Sequence, residues 1–217
     1  MTDFAKLRSE IFVSLLSDVL DGLGYRRQAL PPAIRPLDDA SVMVGRARTA
    51  LYMDVYEVTP DENPYELEIA LIDSLQPDEI PVFSCGGTGR IAPWGELLTT
   101  AARVRGASGV LMDGLVRDVK AIRRMGFPVF HAGIGPLDSK GRGKVAQIDV
   151  PIECAGVSVT SGDLVVGDAD GVIVVPQAVE DQTLEGAFAK LQGERNTLAD
   201  LQAGAKLADV FAKYGIL

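Results

Sequence analysis

Arg117 and Asp118 stand side by side at the end of the run Met112-Asp113-Gly114-Leu115-Val116. A guanidinium is a permanent cation that grips a carboxylate through two parallel hydrogen bonds, and a carboxylate is a hard oxygen ligand suited to Mg²⁺ or Mn²⁺. Set next to each other, the two fit the task of clamping a small 2-oxo acid on a divalent metal, with Asp118 as the metal ligand. The plain alternative is structural: an acid in the first turn of a helix is favoured by the helix dipole, and a neighbouring arginine is often surface decoration. Upstream, Trp94-Gly95-Glu96-Leu97-Leu98 opens an expected helix. The first N–H groups of a helix have no partner inside it, so the amides of Gly95, Glu96, Leu97 and Leu98 are candidates to hold a substrate carboxylate.

Other reactive types are placed less productively. His131 is the only histidine and follows an apolar run, so it reads as a strand-end residue; one histidine makes neither a triad nor a His-rich zinc site. Cys85 and Cys154 lack CxxC spacing and read as buried small hydrophobes. Gly86-Gly87-Thr88-Gly89 lacks the G-x-G-x-x-G dinucleotide fingerprint and reads first as a turn. Asp168-Ala169-Asp170-Gly171 lacks the longer acidic pattern of a calcium loop and reads as a hairpin turn. Lys120 is the lysine nearest the Arg117 helix, and nothing else marks it for Schiff-base chemistry.

The elements that must position these residues follow from periodicity. Leu7, Ile11, Leu15, Leu16, Val19 and Leu20 recur at helical spacing and predict one amphipathic helix over residues 4–23, stopped by Gly22 and Gly24. Residues 42–51 read as a strand and 64–75 as a helix. Next come a strand over 80–85, a helix over 94–104 with Pro93 suited to a first helical position, a strand over 110–112, a helix over 116–125 and a strand over 128–131. This succession of β-α-β units implies parallel pairing with right-handed crossovers. Short strands follow over 145–150, 152–154, 157–159, 164–167 and 172–175. A final helix runs from near residue 179 past Glu194, with a break at Gly204 and a last short helix over 207–214.

The chain has 217 residues, 47% hydrophobic and 24% charged, which fits one folded domain without disordered tracts. A formal net charge of −9 argues against nucleic acid as a partner, and the short basic runs Arg26-Arg27 and Arg123-Arg124 read as solvated charge. MTDFAKLRSEIF carries charges where a signal peptide needs an apolar run, and no stretch approaches the roughly 20 apolar residues of a membrane span. A cytoplasmic protein with no membrane partner is expected.

The segments SDVLDGLG, VGRARTA, WGELLTTAA, GASGVLMDGLVRD, FPVFHAG and SGDLVVGDADGVIVVP together resemble the RraA-like family, in the family's order and over nearly the whole chain. That family includes the class II 4-hydroxy-4-methyl-2-oxoglutarate/4-carboxy-4-hydroxy-2-oxoadipate aldolases. The resemblance implies an α/β/β sandwich of the swivelling type, with parallel β-α-β units followed by short strands and a C-terminal helix. It also implies homotrimers or homohexamers with sites between subunits. Arg117 would bind the carboxylate and keto oxygen of pyruvate, Asp118 would ligate Mg²⁺ or Mn²⁺, and residues 95–98 would offer amides to the substrate. Glu96 lies with twenty residues between it and Arg117, the spacing at which the aldolases carry an acidic residue, commonly Asp. A glutamate from a neighbouring subunit's C-terminal helix completes such sites, with Glu194 in QGERNTL as the match and Glu185 as an alternative register.

The implied activity is cleavage of a 4-hydroxy-2-oxo acid to pyruvate. The pyruvate enolate it leaves is also formed when oxaloacetate loses CO₂, so one site could run both reactions. Only the aldol reaction needs a base for the 4-hydroxyl proton, with Glu96 or Glu194 as the candidates. The resemblance equally admits a non-enzymatic regulator of an RNA-degrading enzyme; retention of Asp118 after Arg117 favours the enzyme. A methyltransferase is discounted, since the glycine-rich turn and acidic strand end of an adenosyl-methionine site are absent. A different 2-oxo acid lyase on the same residues stays open.

Overall fold

In the computed structural model, which describes residues 2–87 and 89–216, the expected alternation of strands and helices is present. The first half contains α1 (Phe4–Glu10), α2 (Val13–Gly22), β1 (Arg35–Pro36), β2 (Met43–Asp54), α3 (Glu66–Ser74), β3 (Glu79–Ser84) and α4 (Glu96–Val104). The middle contains β4 (Val110–Met112), β5 (Leu115–Val116), α5 (Val119–Met125), β6 (Val129–His131) and β7 (Gly133–Ile134). Then come β8 (Gly143–Ile148), β9 (Ile152–Cys154), β10 (Val157–Val159), β11 (Leu164–Asp168), β12 (Gly171–Val175), α6 (Glu180–Gln202) and α7 (Leu207–Tyr214). No helix among the described residues is long and apolar enough to cross a membrane.

The main sheet runs β1-β6-β4-β3-β2-β11-β12, with β8 pairing the far end of β2. β2, β3, β4 and β6 are mutually parallel and linked through α3, α4 and α5, the β-α-β succession read from the sequence. β11 turns antiparallel against both β2 and β12. Ahead of β1, the Leu30 N–H donates to the Val172 carbonyl at 2.9 Å, so the two ends of the sheet approach each other and the sheet nearly closes.

Side chains alternate across a strand, and this alternation sorts the core into layers. Phe83, Val110, Met112 and Val129 face outward under α3, α4 and α5. Leu164, Val166, Ile173 and Val175 face outward under α1, α2 and α6. Ile80, Val82, Leu111, Phe130, Val165 and Val174 face inward, against Ile152, Cys154, Val157 and Val159 of the β9–β10 hairpin. Helices, sheet and hairpin thus form the α/β/β sandwich.

Three local departures from the linear pattern have physical causes. The helix expected over residues 4–23 is two helices, because Ile11 and Phe12 are extended (φ −99°, ψ 142° and φ −134°, ψ 159°). The Val13 N–H is capped from outside by Asp168 Oδ2 at 2.8 Å, while Asp168 Oδ1 accepts from the Asp170 N–H at 2.9 Å and holds the hairpin turn. The break lets Leu7 and Ile11 share one apolar cluster with Leu15, Leu16 and Leu20. The helices expected from residues 94 and 116 start later, at Glu96 and Val119. Trp94 is bridged in parallel to Val116, and Val116 is paired with Ile134, so these residues are committed to strand pairing and Pro93 is not a first helical residue. The glycine turn after β3 is present, with Gly86 and Gly87 both left-handed (φ 67° and 62°); Thr88 lies outside the described residues.

Losing a helix N-cap costs about 1 kcal/mol. Asp168→Ala should therefore lower the melting temperature by about 2–4 °C, the shift expected for about 1 kcal/mol in a domain of this size. Calorimetry showing no change would mean that the cap contributes nothing.

Candidate active site

Arg117 is placed by backbone pairing. Its N–H donates to the Trp94 carbonyl at 2.9 Å, which sets the end of β5 beside the start of α4. Trp94 is fully buried between Phe83 and Phe127, with ring centroids 5.8 and 6.2 Å away. Its Nε1–H donates to Thr99 Oγ1 at 2.7 Å, and that hydroxyl donates to the Gly95 carbonyl at 2.9 Å. The first turn of α4 is thereby locked to an aromatic anchor.

Asp118 sits in the left-handed region (φ 56°, ψ 29°), uncommon for a residue with a Cβ. It precedes α5, yet its Oδ2 accepts from the Glu96 N–H at 3.1 Å and so caps α4, not its own helix. Gly95 makes this approach possible: a Cβ there would lie 2.5 Å from Asp118 Oδ2 and 3.2 Å from Arg117 Cγ and Nε.

A cavity of about 460 Å³ opens at this junction, with Arg117, Asp118, Gly95, Leu97 and Leu98 on one side and Tyr65, Glu68 and Asp138 on the other. A second depression, walled by Ile134, Gly135 and Pro136, shares Arg117 and Asp118 with it. Arg117 Nη2 lies 3.3 Å from Asp138 Oδ1, and the Tyr65 hydroxyl donates to Asp138 Oδ2 at 2.6 Å. Arg117 Nε is buried and has no hydrogen-bond partner among the described residues, although buried donors are nearly always satisfied. Burial and the hydrogen bond to Asp138 push the Tyr65 hydroxyl up to about 12.

Glu68 is only 4% exposed, and its Oε1 accepts from the Tyr52 hydroxyl at 2.7 Å. Burial pushes the Glu68 carboxyl up to about 7; the Tyr52 hydrogen bond pulls it down, the Asp138 charge raises it further and Arg117 lowers it. Burial, followed by the nearby Glu68 charge, also holds the Tyr52 hydroxyl well above its ordinary value.

The residues singled out from the sequence are brought together in part. Arg117, Asp118, Gly95, Leu97 and Leu98 meet as expected. Glu96 begins α4 with its side chain exposed and outside the cavity wall, and Asp118 occupies its amide. The Leu97 and Leu98 amides lie in the first turn, where no helical partner exists. Glu194 lines a separate apolar cleft with Leu191, Leu198 and Leu207, 3.9 Å from Lys190 Nζ; within one chain it does not reach Arg117. Glu185 is exposed on α6 and Lys120 is exposed on α5, outside the cavity wall. His131 is buried at the end of β6, where burial and Arg123 lower its pKa. Asp113 is structural: its carboxylate accepts from the Cys85 and Ala155 N–H groups, tying the turn after β3 to the β9–β10 hairpin.

Glu68, Tyr52, Tyr65 and Asp138 went unmarked in the linear pattern. One signal was present: Glu68, Leu71, Ile72 and Leu75 are spaced i, i+3, i+4, i+7, which puts an acid on the buried face of α3.

The donor set fits a Mg²⁺-type ion. The described residues contain no group of three or more His, Cys, Asp or Glu able to cage a metal, and Mg²⁺ keeps several waters while using one or two carboxylates. Among the described residues Asp118 Oδ1 has no hydrogen-bond partner, and the Asp118 carboxylate and Arg117 Nε both approach Gly95.

Fold and cleft together define an α/β/β sandwich with an arginine–carboxylate pocket where two β-α junctions meet. The chain belongs to the RraA-like family: the Aldolase/RraA family model matches residues 13–174. A Halalkalibacterium halodurans protein provisionally named 4-hydroxy-4-methyl-2-oxoglutarate aldolase is 35% identical over 188 residues, 87% of this chain and 83% of its own. The crystal structure of an uncharacterized Pseudomonas syringae protein superimposes with a TM-score of 0.83 at 27% identity, covering 97% of this chain and 99% of that one. Streptomyces coelicolor RraAS2, described as an unusual member of the RNase ES inhibitor RraA family, superimposes with a TM-score of 0.78 at 26% identity, covering 91% and 98%.

Gly95→Ala should collide with Asp118 and Arg117 and cost about 1–3 kcal/mol of stability; urea unfolding showing wild-type stability would contradict the close approach. The folded Glu68 carboxyl keeps its proton up to about pH 7, whereas the unfolded one releases it near 4.5. The native state therefore binds more protons in that window, and stability falls as pH rises through it, levelling off above it. Glu68→Gln removes this loss, gaining on the order of 3 kcal/mol relative to wild type between those limits. Urea unfolding with parallel pH slopes in both proteins would rule out the buried titration.

Proposed function

We propose that this protein is a divalent-metal-dependent carbon–carbon lyase that cleaves 4-hydroxy-2-oxo acids such as 4-hydroxy-4-methyl-2-oxoglutarate to pyruvate and also decarboxylates oxaloacetate. The supporting observation is that Arg117 and Asp118 line one cleft, with Arg117 Nε buried and unpartnered among the described residues and only Oδ2 of Asp118 engaged, by the Glu96 N–H. Arg117 binds the 2-oxo acid through its carboxylate and keto oxygen, and the Leu97 and Leu98 amides add neutral donors at the dipole-favoured end of α4. Asp118 would hold Mg²⁺ or Mn²⁺, which when bound supplies Lewis-acid stabilisation of charge developing on the keto oxygen. As the C3–C4 bond breaks, Arg117 stays within reach of that charge without reorganising, because the Trp94 anchor and the Gly95 contact hold it.

The rim supports a site completed between subunits of a homotrimer or homohexamer. Leu97 is 84% exposed and Ile134 59%, an apolar margin that a neighbouring chain would cover. In that arrangement Glu194 of an adjacent copy and Glu96 at the rim are the candidates for removing the 4-hydroxyl proton. The likeness to RraAS2 favours a second reading, regulation of an RNA-degrading enzyme. An inhibitor acting through its surface has no use for Asp118 beside an unsatisfied arginine in a cleft.

Pyruvate release from oxaloacetate and from 4-hydroxy-4-methyl-2-oxoglutarate tests the lyase. With Mg²⁺ both should be turned over, EDTA should abolish turnover, and Arg117→Ala and Asp118→Ala should each lower kcat/KM at least about a hundredfold. Turnover that survives EDTA and both substitutions would sink the reading.

A further inference from the structure

We infer that Glu68 is the proton donor and acceptor for C3 of the pyruvate enolate, acting from the inner wall of the Arg117 cavity with Tyr52 orienting its carboxyl group. The inference rests on the pyruvate-forming reading of the site. Three carboxylates line this cavity, and their commitments differ. Asp118 Oδ2 caps α4, and Asp138 is held by Tyr65 and Arg117. Glu68 is the buried one; its Oε1 takes the Tyr52 hydroxyl, and its Oε2 has no hydrogen-bond partner among the described residues.

An acid on the buried face of α3, where Leu71 and Ile72 are fully packed, costs stability that an apolar residue would not. Such a group in a ligand-sized cavity, beside a cation that binds the substrate, is placed for proton transfer. The ionisable groups around it are Tyr52 from β2, Arg117 after β5, Asp138 before β8, and Tyr65 and Cys85. Asp118 is not among them. A carboxyl poised near neutrality by this environment is suited to give and take a proton at physiological pH.

The step balances without a further reactant. Carbon–carbon cleavage or decarboxylation leaves the enolate with a C2=C3 double bond. The π electron pair takes the proton of the Glu68 carboxyl, forming the third C–H bond of the methyl group, while the C2–O bond returns to a carbonyl. Glu68 is left as a carboxylate and recovers a proton from water. In reverse, Glu68 removes a methyl proton from bound pyruvate, so the protein should exchange pyruvate methyl hydrogens with solvent.

Proton NMR of pyruvate in D₂O with the Mg²⁺-loaded protein reads this directly. Wild type should exchange; Glu68→Gln, which keeps an acceptor for the Tyr52 hydroxyl, should exchange at least about a hundredfold more slowly while binding oxalate, an enolate mimic, as wild type does. Glu68→Asp should restore part of the rate. Tyr52→Phe removes the hydrogen bond that lowers the Glu68 pKa, so the pH limb of exchange should move upward. Wild-type exchange in Glu68→Gln would overturn the role of Glu68 and leave the lyase reading standing. No exchange by wild type, together with no pyruvate release, would overturn both. If Glu68→Gln fails to bind oxalate, Tyr52→Phe decides: an unmoved limb overturns the proposal.

Discussion

One close approach governs the site: the start of α4 meets the end of β5 over Gly95, and Asp118 Oδ2 takes the Glu96 N–H across the gap. Arg117, Asp118 and the first turn of α4 are positioned by this contact. It leaves the Leu97 and Leu98 amides in a first turn without helical partners and presses Arg117 against the Gly95 backbone. It also leaves Asp118 Oδ1 without a hydrogen-bond partner among the described residues. The left-handed conformation of Asp118 is the local strain that the contact maintains.

Rigid packing behind the contact keeps it in register. Trp94 is gripped by Phe83 and Phe127, and its indole N–H, through Thr99, reaches the Gly95 carbonyl. Asp113 anchors the turn after β3 to the β9–β10 hairpin, so neighbouring strand ends are fixed by a buried carboxylate with backbone donors. The Trp94 indole N–H and the Asp113 carboxylate are satisfied by these bonds. The unpaired Arg117 Nε and the half-committed Glu68 stand out against that pattern, and both line or adjoin one cavity.

The fold was legible where periodicity and packing agree. Alternating residues such as Val172, Ile173, Val174 and Val175 commit to opposite faces, and the β-α-β succession from β2 to β6 follows from strand-length apolar runs separated by helical ones. Legibility failed where a distant partner overrode local preference. Nothing near Ile11 and Phe12 announces that Asp168 will cap Val13, and nothing near Trp94 announces that it will bridge to Val116. Among the site residues, Arg117, Asp118 and the 95–98 turn were readable because adjacency and helix-start position carry their chemistry. Glu96 was readable as an acid but not as one whose side chain stands outside the cavity wall.

The sequence by itself determined the β-α-β succession and the arginine–aspartate pair, since each depends on local spacing or neighbouring residue types, and its motifs carried the resemblance to the family, which implied the α/β/β layering. Only the tertiary structure decided that Tyr52, Glu68 and Asp138, drawn from β2, α3 and the segment before β8, converge on that pair. It also decided that Glu68 is buried deeply enough to hold its proton near neutrality. The reason is physical: the ionisation of a carboxyl group is set by what surrounds it in space, and those surroundings come from strand order and burial.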